Sequence, residues 1–272
     1  KEYRRQRQMC IRDRLYGLRP DLVFLQEVQG RNEQKSLLDA QHESLAAALR
    51  LDVAYGRNAI RHATDHGNAL LSRYPILDHE NLDISDHRLE QRGLLHARVE
   101  LDGRAVHCFV VHLGLFAGSR TRQVLALTER IRRMVPDGEP ILIAGDFNDW
   151  NDRLAPLFVQ QLGLYEVFSH APRSHGGELP RLRDSVKRLS NALRGLPNSG
   201  LSVMERNNQL GMEGSSRLLL PPPRTFPAVF PWFRLDRIYQ RGFAVRSARV
   251  LRGREWARLS DHSPLLAELE LP

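Results

Sequence analysis

Three short apolar runs in this chain each end on polar residues that can bind a cation or move a proton. "LVFLQE" ends on Gln26 and Glu27, "CFVVH" ends on His112, and "ILIAGDFN" ends on Asp146 and Asn148. Runs of this length and composition predict strands that are covered on both faces. Because ligands of α/β proteins usually lie at the carboxyl ends of strands, we expect these side chains to share one site.

Helical patterns separate some of these runs, whereas other strand-like runs follow one another directly. Apolar residues recur at helical spacing in residues 3–18, 34–49, 124–135 and 153–162. This mixture of alternating and consecutive strands predicts mixed β-sheets with helices outside them, and not a uniform βαβ winding. The further strand-like runs are "GNALLSRYPI", "LLHARVEL", "AVHCFVVHLGL", "RLDRIYQ", "FAVRSARVL" and "LLAELEL".

Length and composition are those of an ordinary globular protein. The chain has 272 residues, of which 42% are hydrophobic and 26% charged, and its mean hydropathy is −0.42. A single α/β domain often has this length, so we expect one domain over residues 1–272. The two cysteines lie far apart, and Cys108 falls inside an apolar run. The sequence therefore predicts a buried free thiol and no disulfide.

The formal charge of +8 is unevenly distributed along the chain. Residues 1–19 and residues 173–224 each carry a formal charge of +5, which leaves −2 for the remainder. The body that contains the candidate site residues is therefore not basic, and its charge does not favour duplex DNA. The two basic segments suit a solvated face, an anionic membrane surface or a polyanion equally well.

Residues 173–224 have the glycine, proline and serine content of a long irregular excursion. We predict a flexible insertion here, because such a segment within a compact domain is usually functional or disordered. Around the end of this segment, "LLLPPPRTFPAVFPWF" brings large apolar side chains close to "RLDRI". This run has two interpretations: packing into the core, or a hydrophobic rim that faces a lipid headgroup or a membrane.

Three acidic residues, Glu27, Asp146 and Asp261, are so far apart in sequence that only the fold could bring them together. If they meet, their carboxylates form a site with a charge of about −3, which suits a hard cation such as Mg²⁺ or Mn²⁺. Zinc is a poorer match. The pair His62 and His66 lacks the glutamate of H-E-x-x-H, and the glycine that follows indicates a loop. Taken singly, each candidate also has an ordinary interpretation, such as a salt bridge or a helix cap.

Six motifs occur together in a characteristic order: "LQE", "GNALLSRYPI", "VHLGL", "GDFND", "LDRI" and "SDHSP". With them the chain resembles the endonuclease/exonuclease/phosphatase family, which has the fold of deoxyribonuclease I. The resemblance covers residues 10–172 and 225–272. It implies an α/β fold, a four-layer sandwich of two mixed β-sheets flanked by helices. It also implies a divalent-metal-dependent hydrolase of phosphoester bonds, and we expect a phosphodiesterase that acts on nucleic acid or a phospholipid-like diester.

The resemblance implies roles for the acidic and amide residues of these motifs. Glu27 resembles the metal-binding glutamate, and Asp261 resembles a second acid on the metal side, with Mg²⁺ or Mn²⁺ as the ion. Asp146 and Asn148 resemble the pair that positions the attacking water and the scissile phosphate. Hydrolysis of a diester needs such an aligned water and positive charge near the phosphate.

Four further residues complete the expected site. His112 resembles a histidine that contacts a phosphate oxygen, and His262 resembles the second histidine at the phosphate. Asp236 resembles the carboxylate that orients His262, and Asn68 is expected to line the same cleft.

One part of the family pattern is missing from this sequence. The family begins with a strand that ends in an asparagine near the metal and phosphate, and no such strand precedes residues 3–18. We therefore expect an amino-terminal truncation that removes the strand and one site residue. We also expect a monomer and, by default, a cytoplasmic location.

The missing strand and the basic segments leave an alternative function open. The chain could be a non-catalytic polyanion-binding or membrane-binding protein on a decayed hydrolase fold. The retained acids and histidines of the six motifs favour the hydrolase.

Overall fold

The computed structural model describes residues 2–32, 40–61, 64–87, 90–172 and 221–272. The chain divides into two compact units, Lys1–Ala171 with Leu220–Pro272, and Pro172–Leu219. The insertion predicted at 173–224 lies outside the described residues, except for residues 221–224. The helices and strands of the described residues all belong to the first unit.

The first unit contains both helices and strands along its whole length. In chain order the elements are α1 (Glu2–Leu18), β1 (Leu22–Asn32), α2 (Gln41–Leu49), β2 (Asp52–Arg61), β3 (Thr64–Ser72), β4 (Ile76–Asp83), β5 (Gly93–Leu101), β6 (Arg104–His112), α3 (Ala117–Met134), β7 (Ile141–Asp146), α4 (Ala155–Leu162), β8 (Tyr165–Glu166), α5 (Val167–His170), β9 (Asp236–Arg241), β10 (Ala244–Val250), α6 (Arg254–Ala257) and β11 (Leu265–Glu270).

The strands form one large mixed sheet and two smaller antiparallel ones. The six-stranded sheet has the order β4-β5-β6-β7-β9-β8, and within it only the pair β6 and β7 is parallel. The three-stranded sheet has the order β1-β3-β2, and β10 pairs with β11. The long crossover from β6 to β7 contains α3, as a parallel connection requires.

The core consists of layers that follow from the alternation of side chains along strands. In β3, Leu70 belongs to the apolar cluster between the six-stranded and the three-stranded sheets, whereas its neighbour Leu71 belongs to the cluster beneath α2. On the far side, α3 and α4 bury Leu127 and Phe158 against the six-stranded sheet. The order of layers is helices, sheet, sheet, helices, which confirms the α/β sandwich predicted from the motifs.

The structure corrects two local predictions. The run "LVFLQE" does not end a strand, because β1 continues through Glu27 to Asn32. His66 lies in β3, paired with Gln29 and Ala59, and not in a loop; His62 lies outside the described residues. The polar sequence "DVAYGRNAIR" of β2 did not predict a strand. It pairs with the apolar β3, which shows that the pairing partner decides its conformation.

Both cysteines are free, and Cys108 is buried as predicted. In the described part of the chain, no helix combines the length and the apolar character needed to cross a membrane.

Candidate active site

Three predicted site residues lie side by side across the six-stranded sheet. His112 is the last residue of β6, Asp146 is the last residue of β7, and Asp236 is the first residue of β9. The register pairs His112 with Asp146 and Asp146 with Asp236. Since β9 runs antiparallel to β7, its first residue meets the ends of the other two strands at one edge of the sheet. The local pattern of each run places a polar residue there, and the register makes them neighbours.

Gly145 is required by the close approach of β6 to β7. A Cβ atom at this position would lie 1.9 Å from the carbonyl oxygen of Val111, and its φ of +151° is rarely adopted by other residues. The glycine before Asp146 therefore makes room for the backbone of the neighbouring strand.

His112 is a buried and neutral imidazole. Burial, followed by the charges of Arg92 and His262, lowers its pKa to about 3. Its Nδ1 lies 3.2 Å from Nη1 of Arg92. Because a guanidinium can only donate, Nδ1 must accept, and the ring proton is on Nε2. That nitrogen lies 3.5 Å from Oδ2 of Asp146, so His112 presents a neutral N–H toward the buried carboxylate.

Asp146 is buried and has an unusually high pKa. Burial, followed by the charge of Asp236, raises the pKa of Asp146 to about 6, although His262 and the backbone N–H of Asn148 oppose this shift. The N–H of Asn148 donates to Oδ1 of Asp146 at 2.8 Å, and its side-chain amide donates to the carbonyl of Leu113 at 2.8 Å. Asn148 has a φ of +49°; asparagine tolerates this left-handed conformation better than most residues. It thereby holds Asp146 to the loop after β6.

His262 forms an ion pair with Asp236 at the other end of this row. Its Nδ1 donates to Oδ2 of Asp236 at 2.8 Å. Burial alone would lower the pKa of His262, but the hydrogen bond and charge of Asp236, with the charges of Asp146 and Asp261, raise it to about 9. The Nδ1 bond to Asp236 directs the Nε2–H group away from that carboxylate. At neutral pH the site therefore contains one imidazolium and one neutral imidazole.

A bulge in β1 displays Glu27. Leu25 pairs with Ala69 and Val28 with Gly67, so two residues, Gln26 and Glu27, lie opposite one, Asn68. Glu27 has a φ of +54°, a conformation that costs about 1 kcal/mol or more for such a residue. Its side chain is 74% exposed, with Oε1 3.9 Å from Nδ1 of His112. Bulges commonly redirect a side chain next to an active site.

Asn68 was expected to line the same cleft as the other site residues. In the structure it is fully buried. Its side-chain amide donates to the carbonyls of Gly93 and Val110, at 2.9 and 3.3 Å. These carbonyls belong to β5 and β6, so Asn68 joins the two sheets directly behind His112.

The residues expected on the metal side of the site are Glu27 and Asp261. Among the described residues, no group of three or more histidine, cysteine, aspartate or glutamate side chains is arranged to hold a metal ion. Glu27 and Asp261 therefore do not belong to such a group. Asp261 is exposed and acts on His262 through its charge. The exposed carboxylate of Glu27 still fits Mg²⁺, which keeps several waters and often uses one or two carboxylates.

Two arginines of the site were missed by sequence reasoning. Arg92 contacts His112 and also donates to Glu90 at 3.1 Å. Arg237 is buried, and its guanidinium donates to the backbone carbonyls of Arg234, Asp236 and Asp149. Arg237 thus ties the loop after Asp146 to the start of β9. Arg92 stands in a polar sequence, where an arginine usually lies on a solvated face. Arg237 stands inside the "LDRI" motif, of which only Asp236 was a candidate.

Comparisons with known proteins agree with this architecture. The model of the endonuclease/exonuclease/phosphatase family matches residues 5–262. The uncharacterized protein YbhP of Escherichia coli (strain K12) is 37% identical over 269 residues, which cover 96% of this chain and 87% of YbhP.

Solved structures share the fold at lower sequence identity. The endonuclease/exonuclease/phosphatase protein of Bacteroides vulgatus has a TM-score of 0.68 and 18% identity, with 100% of this chain and 91% of that one covered. The family protein of Leptotrichia buccalis C-1013-b has a TM-score of 0.67 and 14% identity, with 99% and 95% covered. The chain therefore belongs to the endonuclease/exonuclease/phosphatase family, whose members are metal-dependent phosphoester hydrolases.

Proposed function

We propose that this protein is a divalent-metal-dependent phosphodiesterase whose acid–base pair is His262 and Asp146. The observation that carries the proposal is that these two groups act on each other electrostatically and carry opposite charges near neutral pH. The pKa of Asp146 is raised to about 6 and that of His262 to about 9. Near neutral pH the first is a carboxylate that can accept a proton and the second is a cation that can donate one. These are the protonation states that a general base and a general acid require at neutral pH.

Each residue of the row has a part in the proposed reaction. Asp146 accepts the proton of the attacking water, while Asn148 holds the Asp146 carboxylate in place through its backbone N–H. His262, oriented by Asp236, donates a hydrogen bond to a phosphate oxygen as negative charge develops. The Nε2–H group of neutral His112 and the guanidinium of Arg92 supply further donors at the same edge.

Glu27 is the residue that would hold the divalent ion, Mg²⁺ or Mn²⁺. When bound, the ion would supply Lewis-acid stabilisation of the charge on the phosphoryl oxygens. The other residues at this edge of the sheet bind and orient the substrate and transfer protons. His112 lies between Glu27 and Asp146, at 3.9 and 3.5 Å, so the metal side and the base side of the proposed site are adjacent.

The proposal is tested with a soluble diester, bis-p-nitrophenyl phosphate, in the presence of Mg²⁺. Asp146→Asn removes the base and should lower kcat/KM by about 100- to 10,000-fold. Asp137→Asn changes an exposed aspartate in the turn after α3 and should leave the rate unchanged. Chelation of the metal should abolish the wild-type activity.

Equal rates for the wild type and Asp146→Asn would refute the assignment of the base. If the wild type hydrolyses no diester with Mg²⁺ but binds DNA or liposomes, the non-catalytic alternative is correct. A panel of plasmid DNA, single-stranded RNA, phospholipids and inositol phosphates, with Asp146→Asn as the blank, then assigns the substrate class.

A further inference from the structure

Three loops leave the six-stranded sheet at the edge that contains the proposed site, and each exposes large apolar side chains. The loop after β6 exposes Leu115 and Phe116, and the loop after β7 exposes Trp150. The two loops are joined, because Arg120 donates to the carbonyl of Leu115 at 2.5 Å and lies 5.0 Å from the ring centroid of Trp150. The loop before β9 exposes the largest set, Val229, Phe230, Trp232 and Phe233.

The last of these loops, residues 226–233, is here named the aromatic loop. Its first residues are fastened to the proposed site. The ring of Phe226 lies 4.8 Å from that of His262, and the N–H of Ala228 donates to the carbonyl of Asp261. Close by, the carbonyl of Leu235 accepts from the N–H of Phe147, next to Asp146. The loop therefore extends directly from the groups that would carry out the chemistry.

The tip of the aromatic loop is the most exposed apolar part of the described chain. Val229 is 83% exposed, Phe230 is 66% and Trp232 is 49%. Trp and Phe on a loop with little polar surface are the side chains that settle at the boundary between lipid headgroups and acyl chains. In the described part of this run, packing into the core, the other interpretation, applies to Ala228, which is buried, and not to the exposed tip.

The charge around the aromatic loop is basic. Residues 221–235 contain two arginines and no acidic residue. One of them, Arg224, is exposed and lies 5.7 Å from the ring centroid of Trp232. A cation beside an interfacial tryptophan complements the phosphate groups of anionic lipids.

We propose that the aromatic loop inserts into the interface of an anionic phospholipid bilayer and presents the site to a phospholipid-like diester. The inference rests on the proposed function, since the surface borders that site. Insertion brings the lipid phosphates to the edge of the sheet where His262 and Asp146 meet.

A nucleic acid is a poorer occupant of this surface. Single-strand binders combine stacking rings with a basic groove that follows the backbone. Here the most exposed residue is an aliphatic valine, which cannot stack on a base.

The test measures partitioning of the full chain onto mixed phosphatidylcholine and phosphatidylglycerol vesicles by co-sedimentation. Binding is measured at about 0.5 M NaCl, where the Debye length is about 4 Å and the basic segments contribute little. The double variant Phe230→Gln with Trp232→Gln should weaken partitioning about tenfold or more. It removes two apolar side chains that would otherwise be buried in the bilayer interface. Val229→Gln alone should weaken it in the same direction.

The control changes two other exposed apolar residues, at the opposite edge of the sheet. Leu77, at the start of β4, is 48% exposed, and Met134, at the end of α3, is 41% exposed. The double variant Leu77→Gln with Met134→Gln should partition like the wild type. Far-ultraviolet circular dichroism and the thermal midpoint establish that each variant is folded.

Vesicle binding is measured without turnover, so its result does not depend on whether the proposed function is correct. Asp146→Asn should partition like the wild type, even though its hydrolysis is lost. The inference is overturned if the wild type does not sediment with the vesicles, or if the aromatic-loop variants bind as the wild type does. It is also overturned if these variants lose binding to a single-stranded DNA oligonucleotide while vesicle binding persists.

Discussion

Burial and neighbouring charge give residues of the same type different states within one site. His112 and His262 are both imidazoles, yet the pKa of the first is lowered to about 3 and that of the second is raised to about 9. The difference arises from their partners. Arg92 faces the Nδ1 of His112, whereas Asp236 faces the Nδ1 of His262. The "CFVVH" and "SDHSP" motifs identified the histidines, but only the side chains across the fold decide which is protonated.

These shifts predict a bell-shaped pH profile for bis-p-nitrophenyl phosphate hydrolysis. kcat/KM should rise through about pH 6, as Asp146 loses its proton, and fall through about pH 9, as His262 loses its own. Asp236→Asn removes a charge that raises the pKa of both groups, so both limbs should move to lower pH. The measurement is kcat/KM at pH steps across this range.

The Asp137→Asn protein should reproduce the wild-type profile. If the falling limb of Asp236→Asn stays where it is in the wild type, His262 is not the acid.

A few buried side chains hold the ends of strands in place by donating hydrogen bonds to backbone carbonyls. Arg237, the second residue of β9, donates to carbonyls at 2.7, 3.0 and 3.1 Å and thereby positions both the start of its own strand and the loop after β7. Asn68 performs a similar task between the sheets. Such residues act on the site by fixing where strand ends lie, without touching a substrate.

Arg237→Met should therefore destabilise the protein. It leaves buried carbonyl groups without their donor, which should lower the free energy of unfolding by about 1–3 kcal/mol. Urea denaturation measures this change, and Arg246→Met is the control. Arg246 forms an ion pair with Glu270 in which both side chains are exposed, so its replacement should alter stability by less than about 1 kcal/mol. Equal effects of the two substitutions would show that Arg237 holds nothing in place.

Across the whole molecule, buried histidines link folding to pH. His96 and His107 form a hydrogen-bonded pair inside the six-stranded sheet, with 2.9 Å between their nitrogens, and His107 contacts Glu139 at 2.5 Å. Burial, followed by the charges of His107 and Arg130, lowers the pKa of His96 to about 3. Burial also lowers that of His107, although Glu139 opposes it. With His112, three imidazoles resist protonation in the folded state.

The free energy of unfolding should accordingly decrease as the pH falls from about 6.5 to 4.5. In that window the unfolded chain binds protons at His96 and His112 and the folded chain does not, which costs up to about 1.4 kcal/mol per group and pH unit. Asp146 partly offsets this loss, because its raised pKa makes the folded state bind a proton between about pH 6 and 4.

Urea denaturation at pH steps measures the slope. His96→Gln should reduce it, and His79→Gln, at an exposed position, should not. A stability that stays constant or increases on acidification would contradict the prediction.

Sequence patterns were sufficient for the architecture and the family. Apolar runs that end on Asp146 and His112 predicted strands with polar ends, and the six motifs predicted the family that the family model confirms. The patterns failed at β2, which is polar on its own, and at Glu27, which a bulge presents from the middle of a strand. Both depend on the neighbouring strand, which lies elsewhere in the sequence.

By itself, the sequence determined which chemical groups this protein can use and on which short segments they lie, because local periodicity and residue type are written along the chain. Tertiary structure alone decided that Arg92 meets His112, that Arg237 fastens the loop after Asp146, and that the charge of Asp261 acts on His262. The physical reason is that strand register and burial set these distances and pKa values, and both arise from contacts between residues far apart in the chain.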